Sequence, residues 1–426
     1  MSSYPNIVLV ISDQQRSDSL ASYGNRFTVT PGTDAMAAAG KSFDAAFTPW
    51  PVCTPARGTM WTGVYPHRHK LIDNLYGVDN AFASHAGVKK TVFDHLQEAG
   101  YLTAHFGKWH LGENQPPFFD VWEESFNSRK GHWIDGLLDG QYRPNRQTDA
   151  ALAFLSERKN ETQPFAMVLS FYPPHDPYSA PERFYAPYRG KGVPFAGYYA
   201  AVSALDEDLA RLRAALRDCG LADNTVVIYF SDHGDTFFYR PEGEHKFVCH
   251  DDAIRIPFIV EGPGIRPSSR CDNPIGLQDL APTMLDFAGA PIPDDMHGRS
   301  LRPLLVDENA RGWRDDYFVQ NVTHVSKIEQ RAIRTADWKL IASANGAHEL
   351  YDLRADPEEE LNVYLTPRED GGFERFKHYP DYAATILHLT VRMQRWASEI
   401  EDERGQKLAA AVAKDIVPRL AALTSD

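Results

Sequence analysis

Continuously apolar, β-branched runs recur along the first three-quarters of the chain, separated by stretches of helical periodicity. Asn6–Ile11 is the first run, followed by Thr103–Phe106, Phe165–Tyr172, Thr225–Phe230 and Ile256–Val260. A strand that is apolar at every position has both faces covered, as in sheets clothed by helices on each side. Helical spacing falls at Thr33–Ala39, Val92–Ala99, Thr148–Arg158 and Tyr198–Cys219. The alternation predicts an α/β fold: a large, mixed, mostly parallel sheet sandwiched by helices, with ligands gathering beyond the carboxyl ends of the strands.

After about Arg311 the pattern changes. Tyr317–Val322, Arg331–Thr335, Lys339–Ala342 and Glu349–Asp352 are predicted as short strands, with turn residues such as Asn345-Gly346 between them. Helical periodicity closes the chain at Tyr382–Glu399 and Lys407–Leu423. The expected division is therefore a large α/β domain over 1–311 and a smaller α+β domain over 312–426.

Several predicted strands run directly into polar residues. The first ends in Ser12-Asp13-Gln14-Gln15, and the second leads into Gly107-Lys108-Trp109-His110. The third leads into Pro173-Pro174-His175-Asp176, and the fourth into Ser231-Asp232-His233-Gly234-Asp235. Parallel neighbours would bring these groups to one edge of the sheet. Asp13, Asp232 and His233 then form a candidate divalent-metal site, with Gln14 adding a neutral oxygen. Oxygen donors favour calcium or magnesium, whereas the His233 nitrogen favours manganese. Aspartates after strands also serve as helix caps, so each one alone carries either reading.

Cys53-Thr54-Pro55-Ala56-Arg57-Gly58 occupies a loop ahead of a possible helix. A helix N-terminus and an arginine favour anions and depress a thiol's pKa, which makes Cys53 a candidate nucleophile. A lone cysteine is otherwise a small buried hydrophobe. Gly40-Lys41-Ser42 is no nucleotide-binding loop, because Ala35 stands where the first glycine belongs. Glu244-His245-Lys246 with Cys249-His250 fits no standard zinc spacing.

Composition narrows the classes. The 426 residues are 43% hydrophobic and carry a formal net charge of -14, which argues against a broad nucleic-acid footprint and leaves room for a small cationic pocket. No apolar stretch approaches the ~20 residues that cross a bilayer, so no membrane partner is expected. Met1-Ser2-Ser3-Tyr4-Pro5 lacks the succession of a secretory signal, and the four cysteines are widely scattered, so the expectation is a cytoplasmic protein with free thiols.

The segment Cys53-Thr54-Pro55-Ala56-Arg57 resembles the C-x-P-x-R signature of the formylglycine-dependent sulfatases of the alkaline phosphatase superfamily. Gly107-Lys108-Trp109-His110-Leu111-Gly112 is similar to the family's second signature. Asp13, Pro173-Pro174-His175, Asp232-His233-Gly234 and Lys246 follow in the family's order, and Glu349–Pro357 resembles its C-terminal domain. The resemblance implies an alkaline phosphatase-like fold and a formylglycine derived from Cys53 by a formylglycine-generating enzyme. It also implies one divalent cation on Asp13, Gln14, position 53, Asp232 and His233, with Ca2+ expected first and Mn2+ second. The implied substrate is a small anionic sulfate ester, cleaved to an alcohol and inorganic sulfate through a formylglycine-sulfate intermediate.

The implied roles follow. Arg57 and Lys108 hold the geminal diol, Lys246 a sulfate oxygen; His175 protonates the leaving oxygen, and His110 takes the proton that expels sulfate. Gln14 stands where many members have a second aspartate, and His233 where many have asparagine. Both departures resemble members that cleave phosphonate monoesters or phosphodiesters, which supplies the alternative activity. A metal-bound binding protein without turnover is the other alternative. The alcohol is expected to meet loops around Pro116–Arg146 and Pro177–Val193.

Overall fold

The structure is a computed structural model that describes residues 4–128, 131–134, 136, 140–240, 244–307, 310–367, 373–375 and 380–423. Contacts divide the chain into two compact units: Met1–Thr48 with Val52–Asp235 and Arg255–Gly312, and Pro49–Pro51 with Thr236–Ile254 and Trp313–Asp426.

The first unit is built on an eight-stranded sheet. Its strands are β1 (Asn6–Asp13), β2 (Lys41–Phe43), β4 (Leu102–Lys108), β5 (Val121–Phe126), β6 (Phe165–Pro174), β7 (Thr225–Ser231), β8 (Phe258–Glu261) and β9 (Ser269–Cys271), in the order β5-β4-β6-β1-β7-β8-β2-β9. A separate short parallel pair joins β3 (Ala46–Phe47) and β10 (Ile275–Gly276). Strands β5, β4, β6, β1 and β7 run parallel, whereas β8 is antiparallel to both β7 and β2. Every residue of β1 and β7 is buried, which is why their sequences carry no polar alternation. Strands β2, β5 and β9 were not legible: they are short, or half-exposed and polar like Val121–Phe126. Lys41, from the rejected nucleotide loop, starts β2 and donates to the Leu304 carbonyl at 2.7 Å.

Register aligns the functional ends. Ser12 pairs with Ser231, Asp13 with Pro174 and Gly107 with Ser170, so Asp13, Lys108, His175 and Asp232 all leave the sheet at one edge. Gly107 sits at a shift in the β4 ladder with φ +104, and a Cβ there would lie 1.9 Å from the Ser170 carbonyl oxygen. Only glycine allows that approach.

The second unit carries an antiparallel sheet of β11 (Asp316–Val322), β12 (Glu329–Thr335), β13 (Trp338–Ser343) and β14 (Glu349–Asp352), followed by helices Pro380–Glu399 and Glu403–Leu423. The elements expected there are found with small shifts of boundary. The domain division differs from the expected 1–311 and 312–426, because 49–51 and 236–254 group with the later chain. Their bonding explains it: the Asn321 amide donates to Phe247 O, Gln320 N to Pro49 O at 2.8 Å, and Asp251 N to Glu359 at 2.6 Å. The described helices include none long and apolar enough to cross a membrane.

Gly107→Ala is expected to cost about 2–4 kcal/mol, the sum of a left-handed strain and a forced separation of β4 from β6. Chemical unfolding of wild type and variant reads the difference, and an unchanged midpoint would show that the close approach is not needed.

Candidate active site

Cys53 is the first residue of the helix Cys53–Thr62, all ten of whose residues are buried. Extended Val52 precedes it, and Gly63 ends it in the left-handed conformation with its N–H on the Thr59 carbonyl at 2.9 Å. The helix therefore points its N-terminus, with Cys53 and, one turn on, Arg57, at the carboxyl edge of the sheet.

Charged and imidazole groups crowd the thiol. Its Sγ lies 3.3 Å from His233 Nε2, 3.5 Å from Lys108 Nζ and 3.7 Å from Asp13 Oδ1. Lys108 is ion-paired to Asp13 Oδ2 and stands over the Tyr172 ring at 4.7 Å. Arg57 bridges both carboxylates, with Nη2 3.2 Å from Asp13 Oδ2 and Nε 3.0 Å from Asp232 Oδ2. Its Nη1 donates to the Lys108 carbonyl at 2.8 Å and to Ser170 Oγ at 2.9 Å.

Electrostatics separate the two acids. Burial pushes the Asp13 carboxyl up, but the charges of Lys108, His175 and Arg57 outweigh it and hold it well below the usual range. Burial and then the Asp13 charge raise Asp232 above the ordinary carboxylate value. A second anion is thus held next to the first at some cost, a burden that a divalent cation relieves. The donor set suits one: oxygens of Asp13 and Asp232, the Cys53 sulfur and a His233 nitrogen all lie within 4.8 Å of one another. His233 Nδ1 is 2.9 Å from the Gly234 carbonyl, which can only accept, so Nδ1 carries a proton and Nε2 is the ring nitrogen that faces the thiol. Gln14 belongs to the same corner, its backbone N–H on Asp232 Oδ1 at 3.1 Å.

His110 is buried, and neither ring nitrogen has a hydrogen-bond partner among the described residues. Burial, then the Lys108 cation, lowers its pKa to about 4, so it is a neutral imidazole available to take a proton. His175 sits at the edge, Nδ1 2.8 Å from Asp176 Oδ1 and its ring stacked on Tyr172 at 4.8 Å. Its backbone N–H donates to Asp13 O at 3.1 Å. Lys246 is buried in the second unit, on the 236–254 segment.

The structure thus brings together Asp13, Gln14, Cys53, Arg57, Lys108, His110, His175, Asp232 and His233 within the first unit. Sequence reasoning missed Ser170 and Tyr172, which lie inside a strand, and gave no role to Asp235 or Tyr178. Half-exposed Tyr76, with its ring 5.5 Å from that of His110, borders the site. In the loops expected to meet the alcohol, Trp133, Tyr142 and Tyr188 are core residues packed against Ala200, Ala201 and Ala204. Positions 129–130, 135 and 137–139 of those loops lie outside the described residues.

Residues 5–290 match the family model described as Sulfatase, and residues 243–394 that described as N-sulphoglucosamine sulphohydrolase, C-terminal. An arylsulfatase of Clostridium perfringens (strain 13 / Type A) is 26% identical over 470 residues, spanning 90% of this chain and 93% of its own. A solved complex of a protein with its substrate D-glucosamine-2-N,6-O-disulfate superposes with a TM-score of 0.78 at 24% identity, over 94% of this chain and 99% of that one. Phosphonate monoester hydrolase of Agrobacterium radiobacter gives 0.73 at 20% identity, over 93% and 96%. At those identities the two structures speak for the fold alone.

Arg57→Met leaves two buried carboxylates without their shared cation. In chelator the variant is expected to lose about 3–5 kcal/mol of unfolding free energy, with part of the loss restored by millimolar Ca2+ or Mn2+. A variant as stable as wild type in chelator would show that Arg57 does not neutralise the pair.

Proposed function

This chain belongs to the sulfatase family, and from that premise we propose that it hydrolyses a sulfate ester to an alcohol and inorganic sulfate, using position 53 as the covalent nucleophile. The observation that carries the reading is the setting of Cys53: at the start of a buried helix, its sulfur 3.3 Å from His233 Nε2 and 3.5 Å from Lys108 Nζ. When present, a divalent cation supplies Lewis acidity and a template, and a formylglycine made from Cys53 supplies a hydrated aldehyde as nucleophile.

The residues themselves do the following. Asp13, Gln14, Asp232 and His233 hold the cation, and Arg57 fixes the two carboxylates through Nη2 and Nε. Lys108 stays protonated, since the charges of Asp13 and Cys53 outweigh the effect of its burial, and it offers its charge to an oxygen at position 53. Neutral His110 accepts a proton from the hydroxyl at that position. His175, whose Nδ1 is tied to Asp176, protonates the leaving alcohol. Oxygen donors support Ca2+ as the proposed ion, and the His233 nitrogen supports Mn2+ as the second choice. Maturation by a formylglycine-generating enzyme is part of the same proposal. Cytoplasmic residence is proposed as well, supported by four free cysteines.

A second reading, hydrolysis of a phosphonate monoester or phosphodiester, is favoured by Gln14 and His233 where many sulfatases have aspartate and asparagine. A sulfate monoester and a phosphonate monoester both place one negative charge on a tetrahedral centre, so one site suits either.

The test is the mass of the Cys53 peptide from protein co-produced with a formylglycine-generating enzyme, followed by kcat/KM on matched aryl sulfate and aryl phosphonate. A loss of about 18 Da relative to the thiol and a preference for the sulfate are expected. Cys53→Ala is expected to lower kcat on the order of 10^4-fold or more. A large preference for the phosphonate replaces the first reading by the second, and an unmodified thiol from the competent host removes the nucleophile.

A further inference from the structure

Gln14 is gripped on every side. Its backbone N–H donates to Asp232 Oδ1 at 3.1 Å, and its carbonyl accepts from Tyr198 OH at 3.2 Å. The residue is fully buried with φ +60, a conformation that a side chain of this size adopts only when its surroundings impose it. The side-chain amide donates through Nε2 to Asp235 Oδ2 at 2.7 Å, and the same carboxylate oxygen accepts from Tyr178 OH at 2.6 Å.

These bonds decide an otherwise symmetric choice. The two ends of a carboxamide have nearly the same shape, one a donor and the other an acceptor, and only the oxygen can ligate a cation. The Asp235 carboxylate can only accept, so it selects the NH2 end of Gln14 and commits the carbonyl oxygen to the opposite side of the group. Tyr178 adds a second donor to the same oxygen, its hydroxyl bonded to Asp235 Oδ2 at 2.6 Å, which pins the carboxylate against the Gln14 amide. Asp235 is itself fully buried, and its backbone carbonyl accepts from Arg16 Nη1 at 2.9 Å, which fixes its place.

We propose that Asp235, assisted by Tyr178, is a positioning residue that sets the carboxamide of Gln14 so that its oxygen, and not its nitrogen, is presented to the divalent cation. The device is what a neutral glutamine needs where an aspartate would need none, since a carboxylate presents an oxygen whichever way it turns. This inference rests on the reading of Gln14 as a cation ligand.

Calorimetric titration of the chelator-stripped full chain with Ca2+, and separately with Mn2+, tests it. Asp235→Ala removes the acceptor and is expected to weaken cation binding about 10- to 100-fold, the usual effect of losing the group that orients a ligand. Asp235→Asn keeps an oxygen that can accept both bonds and is expected to bind close to wild type. Tyr178→Phe is expected to fall between them, with a thermal midpoint in chelator close to that of wild type. The inference is overturned if Asp235→Ala and Tyr178→Phe bind like wild type, or if Asp235→Asn loses as much as Asp235→Ala, which would make charge rather than amide orientation the cause. Should Asp235→Ala not fold, the other two variants decide by the same criteria. Gln14→Met separates the underlying reading: if it binds as tightly as wild type, or if wild type takes up neither ion, the assignment of Gln14 as a ligand fails first and takes the inference with it.

Discussion

One buried guanidinium holds the carboxyl edge of the sheet together. Arg57 reaches from the helix Cys53–Thr62 to Asp13 at the end of β1, the Lys108 carbonyl on β4, Ser170 on β6 and Asp232 just past β7. Four neighbouring strands thus meet on one planar group. Lysine, a point charge with freely rotating donors, cannot span them. The arrangement is demanding, because each partner left alone would be an uncompensated charge or an unpaired polar group away from water. It also makes Arg57 serve two ends: it ties the strand ends to the helix and sets the spacing of the two carboxylates.

The central strands were legible because burial on both faces leaves a continuous apolar run, and the gathering of Asp13, Lys108, Asp232 and His233 because polar residues followed those runs in sequence. Ser170 was not legible, since a serine inside an apolar strand has no periodic signature and its meaning lies in a bond to a side chain far away in the sequence. The pairing of Tyr178 with Asp235 has the same character, although Asp235 stands in the Ser231–Asp235 run that drew attention. The grouping of 236–254 with the second unit was hidden for another reason. That segment follows soon after β7 in sequence, but its ion pairs, such as half-buried Asp251 with Arg334 at 3.1 Å, are made with the later sheet.

Cys53 and His110 are held by a common set of contacts. Thr54 Oγ1 donates to the His110 carbonyl at 2.9 Å, so the start of the helix is tied directly to the loop after β4. Farther along, Trp61 stacks on Trp109 with ring centroids 6.1 Å apart, and Trp109 N donates to Phe126 O at 2.7 Å. A Cβ at Gly58 would lie 2.8 Å from the His69 ring, so the helix backbone lies against its neighbours with little room to shift. Position 53 and the Lys108–His110 stretch therefore keep their mutual geometry through packing, a requirement for proton transfer over hydrogen-bond distances.

Gln14 at φ +60 and His110 at φ +59 are among the non-glycine residues at this edge with left-handed backbones. Each follows shortly after the last residue of a strand, where continued extension would carry its side chain past the site. A single left-handed residue turns the chain within one step, and the local strain is borne by the full burial around it. Glycine would adopt the turn more easily, but it would bring no oxygen in the first case and no imidazole in the second. The strain thus falls where a polar side chain facing the cluster and a sharp turn must share one residue, whereas Gly107, two residues before Trp109, serves at a point where only backbone has to pass.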